Sequence, residues 1–318
     1  MKVLITGGAG FIGSHLAEKL FKLGYEVRVL DNLSSGSLEN LSQIMDEIEF
    51  VKGDCKNRWN VLDSIKDVEV VFHLAANPEV RLELCDPETC FRENIYATHV
   101  VLEAVRKSDV KVMAFTSSST VYGDAKLIPT PEDYPPEPIS IYGSSKLASE
   151  SLIMAYAHTY GFRAVIYRLA NIVGPKSRHG VVYDFLQKLQ RNPSKLEILG
   201  DGTQRKSYLY VDDCINAMIL GLQKANRQVE VFNVGSEDQI TVREIAEIVV
   251  GKLGLKNVEF KFTGGVNGGR GWKGDVKNML LDISKLKSIG WKPNLNSVEA
   301  IKRTTEYLMP YCFNLETY

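Results

Sequence analysis

The sequence has few of the features that would place a chain in a disulfide framework, on nucleic acid or across a membrane. It holds five cysteines, Cys55, Cys85, Cys90, Cys214 and Cys312, odd in number and scattered. No CxxC pair and no Cys/His cluster with zinc spacing occurs, so neither a disulfide framework nor a metal site is expected. A reduced, cytoplasmic setting fits this usage. No apolar run approaches the ~18 residues a membrane helix needs. The chain starts MKVLITGG and runs straight into a strand, so no signal peptide is expected. The formal net charge is −1; there is no global field to draw in nucleic acid or an anionic membrane, and neither is expected as a partner. Internal repeats and low-complexity segments are also lacking, as is any Pro/Gly/Ser linker long enough to separate freely folding domains.

What is present is an alternation. Short β-branched runs recur at 2–6 (KVLIT), 26–31, 48–54, 68–76, 110–119, 162–171 and 229–235. Most are nearly continuous apolar segments, which suits parallel strands covered on both faces. Helical spacing lies between them, in 14–23, in 92–107 (Asn94, Thr98, Val101, Leu102, Val105) and in 142–160. This predicts an α/β fold, a Rossmann-type doubly wound parallel sheet. After about residue 171 the loops lengthen. The expected organisation is a cofactor domain of 1–174 plus about 208–239, and a smaller C-terminal α/β lobe of about 175–207 plus 240–318. A strand–helix pair in 208–235 is expected to return to the main sheet, and the two lobes to share a cleft.

TGGAGFIGSHL follows the first strand and opens the first helix. Gly7, Gly10 and Gly13 fit GxxGxxG, and Gly8, Gly10 and Gly13 fit GxGxxG. Such glycines allow a tight turn, close approach of backbone to pyrophosphate and helix–strand packing, and the helix N-terminus supplies N–H groups to the anion. The strand-to-helix setting is the context that gives the motif meaning. Asp31 ends the second strand, 18 residues after Gly13. A carboxylate there accepts from both ribose hydroxyls and repels a 2′-phosphate, which favours NAD over NADP. An Asp opening the turn-rich DNLSSG is the plainer reading. Asp54 and Cys55, after the third strand, are expected near the adenine. HLAAN (73–77) ends the fourth strand with small residues, and His73 reads as a buried, hydrogen-bonded core histidine.

The fifth strand ends in FTSSSTVYGD, where α/β sheets place ligands. Tyr142 follows Ser118 by 24 residues at the head of a helix, with Lys146 four further on. Positions i and i+4 are neighbours on a helix, so both groups can serve one site. Taken in order, TGGAGFIGSHL, DNLSSG, HLAA, SSSTVYG, YGSSK and RLANIVGP resemble the short-chain dehydrogenase/reductase superfamily, in its extended, nucleotide-sugar-modifying branch. The likeness covers essentially the whole chain.

The resemblance implies an enzyme: an NAD-dependent isomerase that epimerises a UDP-hexose, UDP-glucose or UDP-galactose, at C4 through a transient 4-keto sugar. It makes Tyr142 the acid/base, Lys146 its modifier and ribose ligand, and Ser118 the hydroxyl that bonds the reacting oxygen. Ser117, Ser119 and Thr120 exchange roles with Ser118 if the register slips by one. A free phenol has a pKa near 10, so Lys146 and the nicotinamide charge are expected to favour the phenolate. The implied NAD contacts are Gly7, Gly10, Phe11, Ile12, Gly13, Asp31, Asn32, Ser35, Gly36, Asp54, Cys55, Leu74, Ala75, Ala76, Asn94, Tyr142 and Lys146. The implied substrate contacts are Ser118, Ser119, Thr120, Tyr142, Asn171, Arg178, Lys206 and Arg270. Two departures stand out. The branch's arginine in LGDGTQRKSYLYVDD aligns with Lys206, a point charge without a bidentate fork. Arg270 is followed by Trp272 and Lys273, which look like an insertion. Asp212 and Asp213 read as helix caps.

The branch also contains 4,6-dehydratases, which carry an Asp-Glu pair where this chain has Ser119–Thr120; dehydration is therefore disfavoured. UDP-glucuronate 4-epimerase and decarboxylase remain open, since Arg178 could pair with a uronate carboxylate. A cofactor-sensing regulator that has lost catalysis is a further alternative, but such a protein is free to lose Tyr142 or Lys146, and both remain. The family also implies a homodimer, a role in galactose and wider carbohydrate metabolism, and a dimer bundle built from the helices in 92–107 and 142–160.

Overall fold

A computed structural model describes residues 1–81 and 86–313; Cys85 lies outside them. The chain divides into two compact units. The first comprises Met1–Val121, Ser140–Arg168 and Ile215–Phe232. The second comprises Tyr122–Ile139, Leu169–Cys214 and the chain from Asn233 onward.

In the first unit the apolar runs become β1 (Lys2–Thr6), β2 (Glu26–Asp31), β3 (Glu49–Lys52), β4 (Val70–His73), β5 (Val112–Ser118), β6 (Arg163–Leu169) and β11 (Val229–Val234). They form one seven-stranded sheet in the order β11-β6-β5-β4-β1-β2-β3. β1 pairs in parallel with both β2 and β4, β2 with β3, and β4 with β5. The order reverses between β1 and β4, and open α/β sheets bind ligands at the carboxyl ends of strands at such a reversal.

The sheet is covered by α1 (Phe11–Lys22), α2 (Arg58–Ser64), α4 (Ala97–Val105) and α5 (Ile141–Tyr160). Leu4, Leu30, Val71, Met113, Phe115 and Ile166 of the strands pack with Val61, Val101, Leu102 and Ile153 of the helices. Each full burial of such a side chain contributes about 1.5–3 kcal/mol before chain entropy is set against it. α5 has sharp ends. Ser140 Oγ accepts from the Gly143 N–H at 3.0 Å, and Gly161, at φ +87°, stops the helix in a conformation other residues resist.

Helical spacing in 92–107 gives a broken element. After the single turn α3 (Pro87–Cys90), Phe91–Tyr96 winds as a π-helix before α4 begins. Such π segments are rare and concentrate at functional sites; this one carries Asn94.

In the second unit, β7 (Asn171–Val173) pairs in parallel with β10 (Tyr208–Tyr210), and β8 (Lys195–Ile198) with β13 (Glu259–Phe262). β9 (Arg205–Lys206) lies between β12 (Ile240–Thr241) and β14 (Asn278–Met279). Three helices pack on one another: α6 (Val181–Arg191), α8 (Val242–Lys252) and α10 (Ser297–Phe313). α8 starts with a capping box between Thr241 and Glu244. A short α9 (Ser284–Ser288) precedes α10.

Of the segment 208–235 expected to return to the main sheet, the last strand does so and the first three residues do not. Tyr208–Tyr210 pairs with β7 and leads straight into α7 (Val211–Lys224), and only β11 joins the seven strands. Asp213 is also more than a cap. Its carboxylate accepts from the Asn294 N–H at 2.9 Å, the Leu295 N–H at 3.2 Å and the Asn294 side-chain amide at 2.5 Å. It braces the chain ahead of α10.

Candidate active site

The turn between β1 and α1 is built by contact. Gly7 has φ +71°, and a Cβ there would stand 2.7 Å from the Ala75 nitrogen. A Cβ on Gly13 would stand 2.2 Å from the Gly7 carbonyl oxygen. Both positions therefore need glycine, and Gly7 brings the β1 turn against Ala75 of the β4 end. α1 begins at Gly10 with no side-chain cap and no acidic residue in its first turn. The first-turn N–H groups are thus free of competing side chains at the positive end of the helix dipole, as a diphosphate requires.

Asp31 closes β2. Its carboxylate accepts from the Ala9 N–H at 2.9 Å and the Leu33 N–H at 2.8 Å. Burial raises its pKa, partly offset by those two N–H groups. The side chain thus ties the glycine turn to β2, at the strand end where a ribose-binding carboxylate is expected. Asn32 donates to Asp54 at 3.2 Å. Burial raises the Asp54 pKa, but bonds from Lys56 and Asn32 outweigh it and leave the carboxyl lowered. Cys55 is buried and its thiol is pushed up to about 12 by burial and by Asp54, so it packs and does not react. Phe11, Ile12, Gly36, Leu74, Ala75 and Ala76 are half-buried and Ser35 is exposed. Glycine loop, uncapped helix end and carboxylate together fit NAD.

At the ends of β5 and α5 three predicted residues meet. The Ser118 hydroxyl hydrogen-bonds the Tyr142 phenol. Thr120 holds Ser118 in turn, donating to its Oγ from the side chain at 2.9 Å and from the backbone N–H at 3.2 Å. Ser119 is buried. Lys146 lies one turn along α5 from Tyr142, its Nζ 5.9 Å from the Tyr142 ring centre and 5.0 Å from that of Phe115. It donates to the Thr116 carbonyl at 3.0 Å. Burial lowers Lys146 to about 8, against a pull upward from Glu150. Burial pushes the Tyr142 phenol up to about 12, and the Ser118 hydroxyl only partly offsets this. The lysine ammonium is directed at Thr116 rather than at the phenol, and desolvation dominates.

Asn94, in the π segment, supports this centre. Its amide accepts from the Asn77 N–H at 2.8 Å and donates to Ser145 at 2.9 Å, and Ser145 donates to the Tyr142 carbonyl at 2.7 Å. His73 is a core histidine, as its sequence setting indicates. Thr98 Oγ1 donates to the Asn94 carbonyl at 2.6 Å, so it accepts from His73 Nε2–H at 3.0 Å, and Nδ1 accepts from Thr6 at 2.7 Å. Burial and the nearby Lys146 charge hold His73 down to about 3.

The remaining predicted residues belong to the second unit. Asn171 donates to the Ser207 carbonyl at 3.1 Å, inside the β7–β10 pair. Lys206 is paired with Asp275 at 2.5 Å and lies 5.4 Å from the Trp272 ring centre. Arg270 makes a bidentate pair with Asp124, at 2.8 and 2.9 Å, and also donates to the Asp275 carbonyl. Arg178 is exposed in the loop before α6. Both phosphate candidates thus have a carboxylate partner, and Asp124 and Asp275 were not singled out from sequence. Nor was Glu150. It lies four residues beyond Lys146, and that spacing alone could have found it.

Comparison with known proteins agrees with this geometry. Residues 3–235 match the NAD dependent epimerase/dehydratase family. A putative UDP-glucose 4-epimerase of Methanocaldococcus jannaschii is 36% identical over 312 residues, covering 96% of this chain and 98% of that protein. A crystal structure of a UDP-galactose 4-epimerase superposes with a TM-score of 0.88 at 46% identity, covering 98% of this chain and 99% of the other. A dTDP-D-glucose 4,6-dehydratase of Mus musculus is 31% identical over 314 residues, covering 96% of this chain and 88% of that protein.

Proposed function

The chain belongs to the NAD dependent epimerase/dehydratase family, and from that premise we propose that it interconverts the C4 epimers of a UDP-hexose, UDP-glucose and UDP-galactose. The observation that carries this choice within the family is the pair Ser119–Thr120. By the family resemblance, a 4,6-dehydratase is expected to carry Asp-Glu there. Here the Thr120 hydroxyl supports Ser118 at 2.9 Å and offers no carboxyl acid. Tyr142, Ser118 and Lys146 then suffice for a reaction that moves one proton and one hydride and returns both.

Bound NAD supplies the hydride acceptor and a positive ring charge. Tyr142 Oη takes the proton of the sugar 4-hydroxyl and later gives it back. Ser118 Oγ donates to the same oxygen. Bringing the phenol from about 12 to neutrality needs about 7 kcal/mol of differential stabilisation at 1.36 kcal/mol per unit; Lys146 contributes part of it. Asp31 and the glycine turn hold the dinucleotide, while Asn171, Arg178, Lys206 and Arg270 are assigned to the nucleotide sugar. Tight nucleotide contacts and loose sugar contacts let the hexose present its other face. Exposed Phe91 (55%), Tyr96 (44%) and Tyr160 (49%) on the helical stretches of 91–105 and 141–160 support a homodimer.

The test is incubation of purified protein with UDP-galactose, without added NAD, and separation of the nucleotide sugars. UDP-glucose forms with no net NADH, and Tyr142→Phe lowers the rate by about 10²–10⁴-fold, the usual worth of a positioned acid/base. No conversion even with NAD supplied refutes the UDP-hexose assignment and turns attention to UDP-glucuronate.

A further inference from the structure

One buried ionic group in the first unit is not used by this chemistry. Glu150 is fully buried in α5, one turn beyond Lys146 on the same face. Arg168 of β6 clasps its carboxylate through Nε at 3.1 Å and a terminal nitrogen at 2.8 Å. The Ser117 hydroxyl, at the end of β5, donates to Oε1, the oxygen that Arg168 Nε also holds. A buried ion pair is costly to desolvate and adds little stability relative to an apolar replacement, so stability alone does not account for it.

We propose that Glu150 is a positioning residue: it clamps β5 and β6 to α5 beside Ser118 and sets a buried carboxylate one helical turn from Lys146 as the counter-charge of that ammonium. The proposal rests on geometry. Lys146 Nζ donates to the carbonyl of Thr116, the residue just before Ser117, so lysine and glutamate grip adjacent positions of one strand end. The charged and titratable groups facing Lys146 are Tyr142 and Glu150 on its own helix and His73 of β4; Arg168 of β6 reaches it through Glu150. β5 offers it only the Thr116 carbonyl and the Phe115 ring. Glu150 is thus the acidic group that favours the cation, against burial. The inference does not depend on which sugar is bound.

The experiment is NMR titration of the Lys146 ε-methylene in ¹³C-lysine protein without substrate, assigned with Lys146→Met, in wild type and Glu150→Gln. Gln preserves shape and can still accept from Ser117. The Lys146 midpoint falls by about half a pH unit or more in the variant, as expected when a nearby opposite charge is removed. The alkaline limb of the pH–kcat profile moves down with it, which a purely structural role would not cause. An unchanged midpoint in folded Glu150→Gln overturns the proposal. If that variant does not fold because Arg168 is left unpaired, Glu150→Gln/Arg168→Gln is read against Arg168→Gln, so that only the carboxylate differs: a lower midpoint in the double variant supports the role, and an equal one overturns it.

Discussion

Acidification reports on His73 before it reports on most of the molecule. In an unfolded chain the imidazole takes its proton near pH 6.5; in the fold it resists down to about 3. The unfolded state therefore binds more protons through that window, and stability falls as pH falls. The contribution is fully present above pH 6.5 and is lost progressively towards pH 3. From 6.5 to pH 4 the loss is about 3 kcal/mol at 1.36 kcal/mol per unit. Carboxylates held low in the fold, such as Glu103 and Asp201, lose stability too as pH falls, so the measurement has to be a difference. His73→Gln gives up one of the two ring contacts, to Thr6 or to Thr98, and costs about 1–3 kcal/mol at pH 7. Urea unfolding of both proteins between pH 7 and pH 4 then separates the terms. The wild-type advantage shrinks by about 3 kcal/mol over that range, and the two curves converge or cross. A gap that stays constant with pH refutes the view that His73 is held neutral by burial.

Two further perturbations probe the ligand sites. Gly13→Ala puts a methyl 2.2 Å from the Gly7 carbonyl. The variant purifies with at least about tenfold less bound NAD, read as absorbance of the deproteinised extract, and a normal cofactor load refutes the close-packed turn. Lys206→Met and Arg270→Met both raise KM for the nucleotide sugar with kcat preserved, but they separate in stability. Asp275, the Lys206 partner, is 2% exposed, so leaving it unpaired costs about 3 kcal/mol. Asp124, the Arg270 partner, is 47% exposed, and its loss costs under about 1 kcal/mol. Thermal melts beside the kinetics decide the point, and equal destabilisation would contradict the burial difference.

What was readable in sequence and what was not divides along a physical line. The strands were legible because a buried parallel sheet needs continuous apolar runs, as in KVLIT and EVRVLD. The glycine turn was legible because its requirements are steric and local. Helical spacing makes Tyr142 and Lys146 neighbours, but their roles and the choice of Ser118 come from the family resemblance. The π segment at Phe91–Tyr96 was not legible, since its sequence keeps ordinary helical spacing; the Asn94 it carries bonds Asn77 and Ser145. Within 208–235 the return to the main sheet is made by β11, while a strand as short as Tyr208–Tyr210 carries no mark in sequence of which neighbour it will choose.

Charge partners were the least legible of all. Arg270 read as a free cation for phosphate, yet its carboxylate partner Asp124 lies 146 residues away in sequence; Lys206 and Asp275 are separated by 69. Spacing rules act within one element, and these pairs join elements. The same gap hid the opposite case. Glu150 lies four residues beyond Lys146, but its meaning depends on Ser117 and Arg168 arriving from two strands. Motif reading therefore finds groups that touch substrate more readily than groups that set their charge. In this chain the second kind matters as much, because burial alone pushes both Tyr142 and Lys146 toward their neutral forms.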